Sequence, residues 1–165
     1  MRRPTSTPWV AAAALALVLV GCGKDEFPDR TARVTVDGDL ATFQVDSCGL
    51  DEQTLFVVGR TDGGRILQAV VGVEDDRETG VPDSSGLTVG LGVGGVEVGA
   101  FGPEAWERQG RTGPPPGTIT SARLRGSRIQ LAGDAVALDA DGSAAGSGDD
   151  LHPFSLDARC DEQDD

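Results

Sequence analysis

The fold is decided by the alternating pattern in Arg33-Val34-Thr35-Val36-Asp37-Gly38-Asp39-Leu40-Ala41-Thr42-Phe43-Gln44-Val45-Asp46. Apolar side chains recur at every second position on each side of the central Asp-Gly pair, which is the period of a β-strand with one buried face. An Asp-Gly pair between two such runs is typical of a hairpin turn. The stretch therefore predicts an antiparallel hairpin that places one face against a core.

Further strand patterns follow along the chain, bounded by turns that contain glycine or proline. They lie at 54–59, 65–73, 87–91, 96–101, 118–125, 128–132 and 154–160. The unbroken apolar run in 54–59 predicts a strand that is buried on both faces. The charged segment 74–86, which contains Pro82, predicts a loop. In the last strand, alternate residues from Phe154 to Cys160 are expected to face the core.

No segment has a convincing helical period. The one candidate for a short helix is 103–109, where Pro103 suits the first turn and Glu104 follows it. About eight or nine short strands separated by glycine and proline turns predict an all-β domain. We expect an antiparallel β-sandwich or a barrel-like roll.

The N-terminal segment indicates export and lipid attachment. Arg2 and Arg3 precede an apolar run at 9–20, which has the length of a signal-peptide core and is short for a bilayer-spanning helix. The run ends in Leu19-Val20-Gly21-Cys22, which resembles the lipobox of bacterial lipoproteins. That resemblance implies cleavage before Cys22 and acylation of the new N-terminus, which anchors the chain to the outer face of the cell membrane. The alternatives are an uncleaved membrane anchor or a coincidental cysteine.

Cleavage of residues 1–21 as a signal peptide leaves a single domain. Residues 22–32 are then a lipidated N-terminus with a flexible tether, residues 33–160 the β domain, and residues 161–165 an acidic tail. The chain from residue 22 carries 12 basic and 27 acidic side chains, a net charge of −15. So acidic a chain argues against nucleic acid as a partner, and against adhesion to anionic headgroups without the lipid.

The chain has three cysteines. If Cys22 is lipidated, Cys48 and Cys160 remain as an even pair in an oxidising compartment, and a disulfide between them is expected. Two free thiols or a metal site are the alternatives. A single histidine and the lack of a Cys-x-x-Cys motif argue against metal, so we expect neither a metal nor a cofactor.

Three further patterns resemble sites of chemistry. Gly90-Leu91-Gly92-Val93-Gly94-Gly95 matches a dinucleotide fingerprint, but a strand pattern follows it where the fingerprint needs a helix. His152 has neither an evident nucleophile nor an orienting acid beside it. Asp139 and Asp141 have calcium-ligand spacing, but no glutamate stands at the twelfth position of that loop. We therefore expect no enzymatic activity.

Trp106 is the candidate partner-binding residue, because it lies on a long loop that also holds Pro114-Pro115-Pro116. An exposed aromatic ring beside a polyproline stretch suits contact with a protein or a glycan. The alternative is a tryptophan folded back as a lid over the edge of the sheet.

The chain resembles the mycobacterial surface lipoprotein antigens of the LpqH type. The shared features are the lipobox at Cys22, Val34-Thr35-Val36-Asp37-Gly38 with Cys48 a dozen residues later, the glycine-rich 89–99, and the ending Phe154-Ser155-Leu156-Asp157-Ala158-Arg159-Cys160. The resemblance implies a lipid-anchored, exported β domain with one disulfide.

By that resemblance, the chain is expected to act as a non-enzymatic surface-interaction or antigen-like module of the cell envelope. Its partner in the envelope or outside the cell is not specified, beyond the membrane that holds its lipid. The alternative function is a carrier of a small ligand, a lipid or glycolipid, inside the β domain.

Overall fold

The computed structural model describes residues 28–76, 78–90, 97–145 and 149–160. These residues form nine β-strands and one short helix, α1 (Pro103–Arg108). The strands are β1 (Thr31–Val36), β2 (Asp39–Asp51), β3 (Thr54–Arg60), β4 (Ile66–Val73), β5 (Gly80–Gly90), β6 (Glu97–Phe101), β7 (Thr118–Arg125), β8 (Arg128–Leu138) and β9 (His152–Arg159). The signal segment, Cys22, tether residues 22–27 and the tail 161–165 lie outside the described residues.

Eight of the strands close into an antiparallel barrel. Each strand from β1 to β5 pairs with the next one in sequence, β1 also pairs with β9, and β9 pairs with β8. The ring closes because β6 pairs with the end of β8, where Val98 lies opposite Ala137. β7 is an additional strand that pairs with the first part of β8, residues 128–134, on the same edge of β8. The predicted all-β class is confirmed, and of the two expected architectures the chain adopts the barrel.

The first hairpin forms as its sequence predicts. Val34 of β1 lies opposite Ala41 of β2, and Val34 and Phe43 are fully buried. The turn residues Asp37 and Gly38 both have positive φ angles, 53° and 87°. Two successive positive φ angles are the property of the tightest hairpin turns, whose twist matches that of the strands.

β5 begins at Gly80, so the prediction of a loop over 74–86 is wrong for its second half. Gly72 of β4 pairs with Val81, but Val70 pairs with Gly86, so the intervening residues of β5 form a wide bulge. Pro82 lies in this bulge and interrupts no regular ladder pairing. The hydroxyl of Ser85 closes the bulge, since it accepts the N–H of Gly72 and donates to the carbonyl of Val81.

Two other strand predictions are corrected. β3 is not buried on both faces: Leu55 and Val57 point inward, while Phe56 remains 37% exposed on the outside of the barrel. The wall of the barrel at β3 is a single layer, so alternate side chains meet solvent. β2 also continues beyond the alternating stretch that ends at Asp46, as far as Asp51, so Cys48 lies within the strand.

The buried side chains of the barrel interior are mainly small and medium aliphatic ones, together with Phe43 and Phe154. An eight-stranded barrel is just wide enough for its inward-facing side chains to meet on the axis. The members that are at most 1% exposed come from most strands of the ring: Ala32, Val34, Phe43, Val57, Leu67, Val71, Leu87, Val89, Val98, Ala100, Ile129, Ala135, Leu156 and Ala158. Among the described residues, these inward-facing side chains form one buried cluster, which leaves the outer face of the barrel for contacts.

Candidate functional site

Cys48 and Cys160 form a disulfide at the end of the barrel where the chain begins, as predicted. Their Cα atoms are 5.8 Å apart. β1 lies between β2 and β9, but it begins only at Thr31, which pairs with Gln44 and Arg159. Cys48 and Cys160 lie past the end of the barrel at which β1 starts, where β1 no longer separates β2 from β9. Their bond therefore joins β2 directly to the residue that follows β9. We call this the tether end of the barrel.

The residues that lead into β1 are fastened at the tether end. The amide of Val45 donates to the carbonyl of Arg30, at 2.8 Å. In return the guanidinium of Arg30 donates to the carbonyl of Asp46, at 3.0 Å. Asp29 forms an ion pair with Arg159, with 2.8 Å between Oδ1 and Nε. The point at which residues 22–27 join the barrel is therefore fixed beside β9.

A basic surface covers the outer side of β7, β8, β9 and β1 near the tether end. Its five arginines, which we call the arginine face, are Arg33, Arg123, Arg125, Arg128 and Arg159. They lie on alternate positions whose neighbours in sequence, such as Leu124, Ile129 and Ala158, are buried. The side chains of the face therefore point away from the core.

Strand register aligns these arginines in two adjacent rows. The first row runs across the strands as Arg125, Arg128, Arg159 and Thr31. The second row runs as Arg123, Gln130, Asp157 and Arg33. Side chains that lie directly opposite on neighbouring strands are about 5 Å apart at Cβ, so Arg125, Arg128 and Arg159 lie side by side. In the second row, Gln130 and Asp157 separate Arg123 from Arg33.

Asp157 organises the centre of the arginine face. It accepts a hydrogen bond from Arg128 Nε at 2.8 Å and a second one from Arg128 Nη2. The hydrogen bonding to Asp157, and then its negative charge, raise the pKa of Arg128. This two-point contact fixes the orientation of the guanidinium relative to Asp157. Arg128 therefore remains charged and oriented at any physiological pH.

The arginine face also carries acidic side chains. Among the described residues, Asp29 and Asp157 form ion pairs with Arg159 and Arg128, and Glu78 adjoins Thr79, whose backbone pairs with that of Arg123. The acidic segment 161–165 follows Cys160 directly in the sequence. The face is therefore a cluster of arginines within a chain whose net charge from residue 22 is −15.

Sequence reasoning missed the arginine face. One local signal was present, since Arg123, Arg125 and Arg128 flank the turn at Gly126 with the alternation of a hairpin. The other two arginines are distant in sequence, at 33 and 159. They join the face only because β9 lies between β8 and β1 in the sheet.

Trp106 lies against the outer wall of the barrel and offers almost no surface to a partner. Helix α1 packs on β5 and carries Trp106, which is 4% exposed. The indole ring lies 5.3 Å from the ring of Phe101, and the guanidinium of Arg111 covers it at 5.4 Å. The structure thus favours the alternative in which the tryptophan folds back on the sheet. Its Nε1 has no hydrogen-bond partner among the described residues.

His152 and Asp139 both stabilise turns. Nδ1 of His152 lies 2.7 Å from Oδ2 of Asp37, so the two residues link the start of β9 to the first hairpin turn. No hydroxyl or thiol in the described ranges is hydrogen-bonded to the other nitrogen of His152. Oδ1 of Asp139 accepts the backbone amides of Asp141 and Ser143, which folds the chain sharply after β8.

A concavity of about 370 Å³ lies outside the barrel and is lined by Glu52, Gln53, Glu74 and Asp75. These polar side chains do not suit an apolar ligand, and the filled core does not favour the carrier alternative. Within the part of the chain that the structure describes, no three His, Cys, Asp or Glu side chains form a group that would hold a metal ion.

The glycine-rich segment joins two strands. Gly90 of β5 pairs with Glu97 of β6, and a strand follows where a dinucleotide site needs a helix. Residues 91–96, which include the other glycines of the motif, are outside the described residues.

Comparison with known proteins adds no family assignment: no protein-family model matches the chain, and no curated protein is significantly similar to it. Among the described residues, no helix has the length and apolar character needed to cross a bilayer. The features on which a function can be argued are therefore the N-terminal motif, the disulfide-tied barrel and its arginine face.

Proposed function

We propose that the chain is a lipid-anchored lipoprotein of the cell envelope that acts as a non-enzymatic surface-interaction module. The sequence Leu19-Val20-Gly21-Cys22, after a basic and then an apolar segment, is the observation that carries the proposal. Acylation there would hold the barrel at the outer face of the membrane, as in the lipoprotein antigens that the chain resembles. Two or more acyl chains give stable anchoring, because each buried methylene contributes about 0.8 kcal/mol.

The architecture is consistent with a domain that is exported from the cytosol. A disulfide between Cys48 and Cys160 persists in an oxidising compartment, which an exported domain meets and a cytosolic one does not. The described chain begins at Pro28, six residues after Cys22, beside the disulfide-tied end of the barrel. Attachment at Cys22 would therefore present the closed barrel with its tether end towards the bilayer.

The filled interior supports an interaction role. Because the inward-facing positions are occupied by packed aliphatic side chains, contacts with other molecules would be made by the outside of the barrel. The arginine cluster on that outside would offer guanidinium donors to carboxylate or phosphate groups of a partner.

The anchor is tested by membrane fractionation. Cys22→Ala removes the thiol, so we expect this variant to leave the membrane fraction and to lack the acyl mass that the parent carries on Cys22. Gly23→Ala, a change next to the anchor that keeps the thiol, should remain in the membrane like the parent. Membrane retention of Cys22→Ala at the parental level would refute lipid anchoring through this residue.

A further inference from the structure

An apolar row crosses the outer wall of the barrel on four neighbouring strands. Strand register places Phe56 of β3 opposite Val70 of β4. Val70 in turn lies opposite Gly86 of β5, and Gly86 lies opposite Phe101 of β6. Gly86 adds no side chain, and the ring of Phe101 lies over it, since a Cβ on Gly86 would be 2.4 Å from Cδ1 of Phe101. We call Phe56, Val70 and Phe101 the outer row.

Helix α1 covers one end of the outer row. The ring of Trp106 lies on that of Phe101, with 5.3 Å between the ring centroids, and both side chains are buried. From the same helix, Nη1 of Arg108 donates to Oγ1 of Thr54 at 2.9 Å, so this guanidinium reaches β3. One short segment of the chain therefore already binds this wall through an aromatic ring and an arginine.

The other end of the outer row is open. Phe56 is 37% exposed and Val70 is half-buried. Both point outward, because Val57 and Val71, their neighbours in sequence, are fully buried. The ring of Phe56 leans over Gly49 of β2, where an added Cβ would be 2.8 Å from Cζ. Phe56 and Val70 thus extend, towards solvent, the surface that α1 uses.

Acidic side chains outnumber basic ones around the open end. The concavity of about 370 Å³ described above includes Gln53, which lies three residues, or about 10 Å, along the chain from Phe56. The basic residues of the turns 51–54 and 74–79, of α1 and of the strand paired with Thr79 are Arg77, Arg108 and Arg123. The acidic ones are Asp51, Glu52, Glu74, Asp75, Asp76, Glu78, Glu104 and Glu107, which leaves 3 − 8 = −5.

From this arrangement we propose that the open end of the outer row binds a basic segment of another polypeptide, in which an apolar side chain lies next to a lysine or arginine. The apolar side chain contacts Phe56 and Val70, and the cation reaches the carboxylates of Glu52 and Glu74. The inference gives a class of partner to the proposed surface-interaction role, on which it rests, and it does not depend on the lipid anchor.

The local charge favours this partner over the alternatives. Self-association through the outer row would bring two acidic sets together, and like charges repel. Anionic headgroups and nucleic acid are repelled in the same way. A lysine or arginine meets both parts of the surface, because its methylene stem covers apolar area while its charged end stays among the carboxylates. Its cation is also attracted to the face of an aromatic ring.

The proposal is tested by nuclear magnetic resonance titration of the isotopically labelled chain from residue 22, carrying Cys22→Ala. The probe is the end-blocked peptide Gly-Lys-Leu-Lys-Leu-Lys-Gly, and the comparison peptide has serine in place of leucine. Amide shifts should change mainly in 51–58, 70–75 and α1. The serine peptide should bind at least about fivefold more weakly, because it loses the apolar contact.

One pair of variants examines the apolar contact. Phe56→Thr removes the ring from the outer row and should weaken binding of the leucine peptide about tenfold. The matched control is Ile66→Thr, which removes an apolar side chain that is 55% exposed at the other end of β4. This control should change the affinity by less than about twofold.

A second pair of variants examines the charge. Glu52→Gln with Glu74→Gln should weaken binding of the leucine peptide about fivefold. Asp62→Asn with Glu97→Gln removes the same charge at the turn after β3 and at the start of β6. These positions lie more than a screening length of about 10 Å from the open end, so the control should change the affinity by less than about twofold.

Equal affinity of the parent and Phe56→Thr for the leucine peptide would overturn the proposal, as would equal affinity of the parent for the two peptides. An equal loss in the control charge pair would do the same, since net charge would then explain the binding. Shifts confined to the arginine face, or no binding at about 1 mM peptide, would also contradict it.

Dependence of the same amide shifts on protein concentration, without peptide, would show that two copies meet at this surface and would refute the proposed partner. Thermal unfolding of each variant verifies the fold. None of these outcomes depends on whether the cell acylates Cys22, which the fractionation experiment decides separately.

Discussion

Removal of the disulfide is the perturbation whose magnitude follows most directly from the structure. Cys48 and Cys160 are 112 positions apart, so the bond closes a loop that contains most of the barrel. In the chain-entropy treatment, a loop of that length restricts the unfolded chain enough to stabilise the folded state by about 4–5 kcal/mol. Cys48→Ser together with Cys160→Ser should lower the free energy of unfolding by that amount.

The assay is urea unfolding of the chain from residue 22, followed by far-ultraviolet circular dichroism. Both the parent and the double variant carry Cys22→Ala, so that no third thiol can exchange with the bond. The slope of the free energy against urea should increase in the double variant, because an unfolded chain without the cross-link exposes more surface. The parent treated with a thiol reductant should reproduce the double variant, whereas Ser47→Ala, an exposed neighbour on β2, should behave like the parent.

The reasoning would be refuted by a loss below about 1 kcal/mol with an unchanged slope. That result would mean that the unfolded chain is no more restricted by the bond than by its own residual structure. A loss far above about 5 kcal/mol would point to the native state instead. It would indicate that β2 and β9 come apart at the tether end, where β1 does not reach between them.

Two further predictions concern Trp106 and Asp76. Trp106→Ala should destabilise the domain by about 3–5 kcal/mol in thermal or urea unfolding, because it empties a buried site on the barrel wall. Trp106→Phe keeps an aromatic ring there and should cost less than half of that free energy. An unchanged melting temperature for Trp106→Ala would contradict the packing described. Backbone hydrogen bonds from Thr79 and Glu78 lower the pKa of Asp76 in the folded protein. The ionised carboxylate therefore stabilises the fold at pH values above the pKa that Asp76 has in the unfolded chain. This stabilisation is lost as the pH falls through the lower pKa that Asp76 has in the folded protein. Asp76→Asn should therefore be less stable than the parent at pH 7 and equal to it near pH 2, and an equal difference at both pH values would exclude the ionised carboxylate as the cause.

Local patterns in the sequence predicted much of the barrel. The first hairpin, the strands around Gly126 and the last strand all form where alternation and turn residues indicate, because strand periodicity and turn chemistry act between near neighbours. The Cys48–Cys160 bond also followed from the cysteine count. The sequence left open whether the strands would form two sheets or one closed ring, since that choice depends on β6 meeting β8.

Departures from the predictions arise where distant contacts override local preference. Pro82 predicted a loop, but Ser85 and Gly72 support a bulge around it that continues β5. Trp106 lies in a polar segment whose composition predicted an exposed loop. It is buried because Phe101 and the wall of β5 offer an apolar surface outside the barrel, which no pattern near Trp106 revealed.

The sequence by itself determined most strand positions, the inward-facing residues of the first hairpin and the last strand, the cysteine pair and the motif at Cys22, because each depends on the order of residues along a short stretch. Only the tertiary structure decided that the sheet closes, that the core is filled, and that the tether begins beside Arg159. It alone brought Arg33 and Arg159 to the three arginines of the β7–β8 hairpin. The physical reason is that charge acts through space, and the distances that matter are set by the order and register of strands that lie far apart in the chain.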